Sequence, residues 1–307
     1  MLALQGILPI LFMPFNQDGN IDEASLIKIL HFELESGIDG IGINGFATEA
    51  YKLSDQERQR TVDIVATELA GAKPLIIGIA AGSTEAAIAQ AKTFAKYKPA
   101  ALMVLPPATM DNGHQALVDH YVNLAEAVNI PIMVQQSPHI PQYAHCELPA
   151  ERLAEMAQRS EMIQYFKIEG PGAPKRMAAL YEKIKGMEIG LFGGGGGITF
   201  PDELKAGASG VIPGVGFNEV FIDSWRAYQA GDLPNVVEVL SEHQPLVDAV
   251  SGKGHEYSLH ARKVLMKRAG HIACSYVRSP SVSFNDRDAE EIFAVADRYN
   301  LRISTAR

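Results

Sequence analysis

The chain has 307 residues and a formal net charge of −9, without a long run of like charges. This length suits one large α/β domain, and the acidic balance argues against nucleic acid or an anionic membrane as a partner. Two distant cysteines without a CxxC spacing support neither a disulfide framework nor a zinc site and favour a cytoplasmic protein. The apolar N-terminus is broken by Pro9 and Pro14 and has no basic residue before Lys28, so we interpret it as a buried strand, not a signal peptide or membrane span.

Short apolar runs alternate with longer segments of helical spacing along most of the chain. Strands that are buried on both faces and followed by helices form a parallel sheet, and eight such units close into a (β/α)8 TIM barrel. An open doubly wound sheet is the alternative, but the GxGxxG that usually follows its first strand is absent. The eight predicted strands are 6–13, 40–45, 74–80, 101–106, 130–135, 163–168, 188–193 and 209–214.

Beyond about residue 215 the pattern is helical only. We interpret the first of these segments as the eighth barrel helix and the next three as a C-terminal extension. The predicted organisation is a (β/α)8 barrel over residues 1–231 and a three-helix extension over residues 232–307.

The stretch QYFKIEG at residues 164–170 is the first candidate for chemistry, because active sites of such barrels lie at the carboxyl ends of the strands. Lys167 ends the sixth apolar run, and Glu169 falls on the same face of an extended chain, about 6.6 Å farther on. The lysine either extends to solvent or pairs with a structural carboxylate, or it is a nucleophile that forms a Schiff base, and a nucleophilic amine must be unprotonated. A nearby carboxylate opposes this, so a catalytic pair requires Glu169 to be protonated or bound to other donors.

Two loops that contain glycine are candidates for binding an anion. The Gly45-to-Glu49 turn after strand two could offer backbone N–H groups to a carboxylate, while Ser54 and Glu57 beyond it fit a helix capping box. Five glycines, 193–197, follow strand seven without the GK[ST] of a P-loop. Because loops after strands seven and eight bind phosphate in many barrels, the run either cradles an anion or lets the backbone pack closely beneath a substrate.

Metal, serine and cysteine chemistry have little support in the sequence. The nine histidines include no HExxH, and the pair His255 and His260 falls in the predicted extension. Neither a GxSxG elbow nor a catalytic cysteine signature is present. We therefore predict no metal.

Over nearly its whole length the chain resembles the dihydrodipicolinate synthase and N-acetylneuraminate lyase family of class I Schiff-base lyases. The matching stretches are PF and DG-ID near the N-terminus, G-ATE with LS and ER after strand two, IPIMVQ-SP, FKIEG and GA-GVI. The resemblance implies a small 2-oxo acid substrate held as an imine on Lys167, no other cofactor, and a homotetramer. The positions that it implies in substrate binding are Gly45, Ala47, Thr48, Glu49, Gln135, Gln136, Gly193, Gly194 and Ile212.

Several departures argue against a synthase of lysine biosynthesis. The family's GTTGE motif reads GFATE at residues 45–49, so the threonine hydroxyls that relay protons are missing. The strand-five tyrosine is replaced by Gln135, and the tyrosine pair after the fourth-strand proline is replaced by Pro107 and Ala108. The arginine that binds the second substrate falls at Ile140.

A better local match is with 2-keto-3-deoxy sugar acid dehydratases, L-2-keto-3-deoxyarabonate dehydratase-like members above all, through IPIMVQ, YFKIE-PGA and GFNE. The glycine run does not match that subgroup well. In the subgroup the glutamate two residues past the lysine is a candidate proton carrier, so Glu169 is expected to replace the missing tyrosine. Backbone amides near Ala47 and Thr48 are expected to hold the substrate carboxylate, while Gln135, Gln136 and the glycine run face its hydroxyls.

Four alternatives stay open at the level of the sequence. A class I aldolase would use the same imine to release pyruvate. An enzyme similar to dihydrodipicolinate synthase would use it for a condensation. A non-catalytic sensor of 2-oxo acids would keep the barrel and lose the reaction. A metal-dependent barrel enzyme has the least support.

Overall fold

In a computed structural model that describes residues 4–109, 111 and 113–304, eight strands alternate with helices. The strands are β1 Gly6–Ile7, β2 Ile41–Ile43, β3 Leu75–Ile79, β4 Ala101–Val104, β5 Ile132–Gln136, β6 Ile163–Ile168, β7 Gly190–Gly193 and β8 Gly210–Val211. They form one sheet in the order β1-β8-β7-β6-β5-β4-β3-β2, so the predicted (β/α)8 barrel with C-terminal helices is confirmed. The outer limits of the predicted domains, residues 1 and 307, lie outside the described residues.

The helices follow the strands as the apolar spacing predicts. The predicted capping box begins the helix Asp55–Leu69, because the Glu57 amide donates to the Ser54 hydroxyl at 3.2 Å and the Ser54 amide donates to the Glu57 carboxylate at 2.9 Å. No helix in the described part of the chain has the length and apolarity that crossing a membrane requires. The helices are α1 Glu23–Ser36, α2 Asp55–Leu69, α3 Thr84–Phe94, α4 Gly113–Val128, α5 Ala150–Arg159, α6 Ala173–Lys183, α7 Phe200–Lys205, α8 Asn218–Gln229, α9 Leu233–Ser251, α10 His255–Arg268 and α11 Asp286–Ala296.

The chain divides into two compact units. The first holds the described residues within 4–6, 73–195 and 199–212, and it contains β3 to β8 and α3 to α7. The second holds residues 7–72, 196–198 and 213–304, with β2, the first two helices and the last four. The predicted boundary between residues 231 and 232 stays a prediction.

Parallel register aligns the strand ends in the first unit. Gln135 on β5 pairs with Lys167 on β6, and Lys167 pairs with Phe192 on β7. Five of the six residues of β6 are buried, as expected for a strand covered on both faces. The carboxyl ends of β5, β6 and β7 therefore place three neighbouring loops together.

Candidate active site

Lys167 and Glu169 form a buried ion pair at the end of β6. The Lys167 Nζ lies 3.1 Å from the Glu169 Oε1, and each side chain is 7% exposed. Glu169 is one residue past the strand, but its amide donates to the Gln136 carbonyl at 2.9 Å, so the extended ladder continues to it. The alternation that the sequence suggested thus brings both side chains to one face.

The Glu169 carboxylate is saturated with donors. Its Oε1 accepts from the Gly195 amide at 3.0 Å as well as from Lys167, and its Oε2 accepts from the Ser137 hydroxyl at 2.5 Å and the Gln135 amide nitrogen at 2.8 Å. A carboxylate offers about four lone-pair positions, and these four donors fill them. Glu169 thus has the additional donors that a catalytic pair requires.

These donors hold Glu169 in the ionised form. Burial raises the pKa of Glu169, but the Lys167 charge and the Ser137 hydroxyl outweigh burial and bring the pKa to about 2. The strongest of the lowering influences is the charge on Lys167. Any step that removes this charge therefore makes Glu169 a stronger base.

The amide of Gln135 has only one orientation in this network. Its Nε2 donates to the Glu169 Oε2 at 2.8 Å and to the Ser137 Oγ at 3.0 Å, because the Ser137 hydrogen is itself directed at Glu169. Both amide hydrogens are used, and the Gln135 Oε1 is buried without a hydrogen-bond partner among the described residues. An unpaired buried acceptor is costly, and a ligand hydroxyl would satisfy it.

Gln136 has a different environment from Gln135. Side chains alternate along a strand, so the two glutamines face opposite sides of β5. The Gln136 Oε1 accepts from the Leu148 amide at 2.8 Å, which attaches the loop after β5 to the strand. Gln136 thus has a structural role, and its contact with substrate stays a prediction.

Two of the five consecutive glycines make room for carboxyl groups. An added Cβ at Gly193 would lie 1.7 Å from the Glu203 Oε2, and one at Gly194 would lie 2.1 Å from the Glu169 Oε1. The Gly195 amide in turn binds the Glu169 carboxylate. The run thus leaves space for two carboxyl groups of the protein and binds one of them, and its role toward a substrate stays a prediction.

The first unit contains two site residues that the sequence did not suggest. Ser137 stands in the matched segment IPIMVQ-SP, where its position directly after β5 was an available signal. Glu203 is 1% exposed on α7, and its segment PDEL looks like an ordinary acidic helix start. The Glu203 Oε1 accepts from the Thr199 hydroxyl at 2.8 Å, and Oε2 has no partner among the described residues. Burial raises the pKa of Glu203 to about 8, against the opposing hydrogen bond of Thr199.

Ile212, another predicted position, lies just after β8. Its amide donates to the Gly193 carbonyl at 3.0 Å, and its side chain is buried. Ile212 thus supports the end of β7, and its contact with substrate stays a prediction.

The Gly45-to-Glu49 turn belongs to the second unit. The Thr48 amide donates to the Gly45 carbonyl at 3.1 Å, and the Thr48 hydroxyl donates to the Leu11 carbonyl at 2.7 Å. The Glu49 carboxylate is buried and pairs with Lys263 and, at 3.3 Å, with Lys52. The binding roles suggested for Gly45, Ala47, Thr48 and Glu49 stay predictions, and the hydrogen bonds and ion pairs give Thr48 and Glu49 structural roles.

Metal ligation finds no support in the residues described. No group of three or more histidine, cysteine, aspartate or glutamate side chains among them is arranged to hold a metal ion. The site chemistry available is that of an amine, a carboxylate, an amide and a hydroxyl.

The family of the chain follows from comparison with known proteins. The model of the dihydrodipicolinate synthetase family matches residues 3–298, and the chain belongs to this family of lyases. L-2-keto-3-deoxyarabonate dehydratase of Azospirillum brasilense is 28% identical over 301 residues, which are 96% of this chain and 94% of that protein. 4-Hydroxy-tetrahydrodipicolinate synthase of Methanococcoides burtonii is 25% identical over 273 residues, 87% of this chain and 90% of that protein.

The fold is shared with solved structures of the same family. Dihydrodipicolinate synthase from Aquifex aeolicus superposes with a TM-score of 0.88 at 21% identity, covering 98% of this chain and 100% of that one. At this identity the likeness concerns the fold alone.

Proposed function

We propose that the protein is a Schiff-base dehydratase of a 2-keto-3-deoxy sugar acid. The observation that carries this proposal is the Lys167–Glu169 pair, in which Gln135, Ser137 and the Gly195 amide hold the carboxylate and no tyrosine among the described residues binds it. The similarity to the Azospirillum dehydratase over 96% of the chain supports the same choice.

Imine formation begins with a proton transfer inside the pair. Glu169 accepts a proton from the Lys167 ammonium across the 3.1 Å contact, and the neutral amine attacks the C2 ketone of the substrate. The resulting carbinolamine loses its hydroxyl as water, with Glu169 returning the proton. The products of this stage are an iminium ion on Lys167 and an ionised Glu169.

Dehydration then uses the same carboxylate as a base. Glu169 removes a proton from C3, and the electron pair of the C–H bond neutralises the iminium to an enamine. Because the charge that most strongly lowers the pKa of Glu169 disappears in this step, the carboxylate becomes a better base as the reaction proceeds. The enamine expels the C4 hydroxyl, which takes the proton from Glu169 and leaves as water, and hydrolysis frees Lys167.

Gln135 supplies recognition of the substrate. Its fixed Oε1 acceptor suits a hydroxyl of the sugar acid, since both hydrogens of its amide nitrogen are already used. Assembly as a homotetramer and a cytoplasmic location remain proposals from the family resemblance and the composition.

The first experiment traps the imine. The protein is treated with pyruvate and borohydride, and its intact mass is compared with that of Lys167→Ala and of Lys263→Ala, a control at a second buried lysine. We expect a pyruvate adduct on the natural chain and on the Lys263 variant but not on the Lys167 variant. Absence of an adduct on the folded natural chain would refute the Schiff-base proposal and favour a sensor or metal-dependent enzyme.

A second measurement identifies the reaction. The protein is incubated with 2-keto-3-deoxy pentonic and hexonic acids, and the products are analysed by mass spectrometry. Dehydration gives a product lighter by one water, whereas an aldolase releases pyruvate. Pyruvate as the main product would replace the dehydratase proposal by the aldolase alternative.

A further inference from the structure

Glu203 is a buried carboxyl group that the proposed mechanism does not use. It lies on α7 with its Oε2 against Gly193, at the place that a side chain of that glycine would occupy. Oε1 accepts from the Thr199 hydroxyl at 2.8 Å, and no lysine or arginine pairs with Glu203 among the described residues. A carboxyl group enclosed in this way is costly to ionise.

The charged groups that face Glu203 connect its ionisation to Lys167 and Glu169. From the end of β6, Glu169 opposes its ionisation and Lys167 favours it, while Asp202 of its own helix opposes it. β7 contributes the backbone at Gly193. Burial is the largest influence and raises the pKa of Glu203 to about 8, so this carboxyl is neutral through most of the physiological range.

We propose that Glu203 is a positioning residue that must stay neutral. Its carboxyl group supports the end of β7 at Gly193, next to Gly194, which makes room for Glu169, and Gly195, which binds it. In the neutral form Glu203 adds no second negative charge near Lys167. This inference rests on the proposed imine chemistry. An ionised Glu203 would stabilise the ammonium form of Lys167, whereas nucleophilic attack needs the free amine. Ionisation of Glu203 therefore slows imine formation at alkaline pH.

The test measures the rate of pyruvate adduct formation with borohydride as a function of pH. It compares the natural chain with Glu203→Gln, which keeps the shape of the side chain and cannot ionise. We expect equal rates at about pH 6, where the Glu203 carboxyl is neutral, and a rate about three- to tenfold higher in the variant at about pH 9.5. A purely structural role would change the rate by the same factor at every pH.

A second variant leaves Glu203 in place. Thr199→Val removes the hydroxyl that stabilises the ionised carboxylate, so the pKa of Glu203 rises further and the alkaline loss of rate moves to higher pH. The matched comparison is Asp202→Asn, which removes a neighbouring carboxylate that is 64% exposed and paired with Lys205. Because Asp202 opposes the ionisation of Glu203 from an exposed position, this variant should move the alkaline loss of rate only slightly, and to lower pH, opposite to Thr199→Val.

The outcomes separate the two proposals. No adduct on the natural chain at any pH overturns the proposed function itself. An adduct whose pH profile is the same in the natural chain, Glu203→Gln and Thr199→Val overturns only the role of Glu203. If Glu203→Gln does not fold, as judged by circular dichroism, the direction of the shift in Thr199→Val decides the matter alone.

Discussion

Buried lysine–glutamate pairs lie in both compact units, and the pairs of Lys167 and Lys263 differ in what surrounds the charges. Lys167 and Glu169 lie at the end of β6, where three donors without a formal charge also hold the carboxylate. Lys263 of α10 pairs with Glu49, and both side chains are 0% exposed. Glu49 is also bound by a second lysine, Lys52, at 3.3 Å.

The surroundings of Lys263 are those of a structural charge. Its ammonium donates to the Tyr276 carbonyl at 3.0 Å and lies 4.7 Å from the centre of the Phe15 ring. Burial lowers the pKa of Lys263 to about 8 although Glu49 opposes this, yet the amine is fully enclosed. A lowered lysine pKa therefore does not by itself identify a nucleophile, and position at a strand end with supporting donors is the better indicator.

The largest expected effect is the loss of turnover in Lys167→Ala. The imine cannot form without the amine, so kcat should fall by at least about 10³-fold. Stability should also fall, because the buried Glu169 loses its cation, but the loss is limited by the bonds that Glu169 keeps to Gln135, Ser137 and Gly195. Steady-state kinetics and urea unfolding measure the two quantities, and appreciable turnover in this variant would remove Lys167 from the mechanism.

The corresponding change in the second pair should affect stability instead. Lys263→Met removes one of the two cations from the buried Glu49, and breaking a buried pair in this way costs about 3 kcal/mol of the free energy of unfolding. Urea unfolding measures the loss. The folded variant should still give the borohydride-trapped pyruvate adduct at Lys167, and failure to do so would mean that the two pairs are not functionally distinct.

Two neighbouring glycines test how closely Glu169 must be placed. In Gly194→Ala the new methyl group would lie 2.1 Å from the Glu169 Oε1, so the carboxylate must move, and kcat should fall by about 10²-fold. The matched control is Gly195→Ala, whose methyl group meets nothing within 4 Å and whose amide is retained. The control has a φ of +58°, so it should cost about 1–2 kcal/mol of stability with a smaller loss of kcat. Equal kcat values for the two variants would contradict the placement argument.

Ser137→Ala should have the smallest effect and the clearest pH signature. The variant loses the 2.5 Å hydrogen bond to Glu169, so kcat should fall about tenfold and the pKa of Glu169 should rise from about 2. Since the ionised carboxylate is the base, the acid side of the kcat profile moves to higher pH.

The same change affects acid stability. Glu169 has a lowered pKa in the folded protein, so it contributes stability above its unfolded pKa of about 4.5, and this contribution is lost as the pH falls through about 2. Ser137→Ala narrows this window, which acid unfolding followed by circular dichroism measures. Ser160→Ala, at a buried serine that contacts the Met162 amide, is the control and should leave the acid profile in place.

Much of the fold could be predicted because it depends on local pattern. Each observed strand falls within its predicted run, except that Gln136 extends β5 by one residue past the predicted end. The capping box of Ser54 and Glu57 could likewise be predicted from the sequence, since both of its hydrogen bonds join residues three positions apart.

By itself the sequence determined the number of strands, the α/β alternation and the placement of Lys167 and Glu169 on one face of an extended segment, because hydrophobic period and strand alternation are local properties. The tertiary structure alone decided the surroundings of each charge. Ser137 and Gly195 reach Glu169 from 32 and 26 residues away, and Lys263 reaches Glu49 from 214 residues away. Parallel register and helix packing set these distances, and no spacing along the chain encodes which distant donor will meet a buried carboxylate.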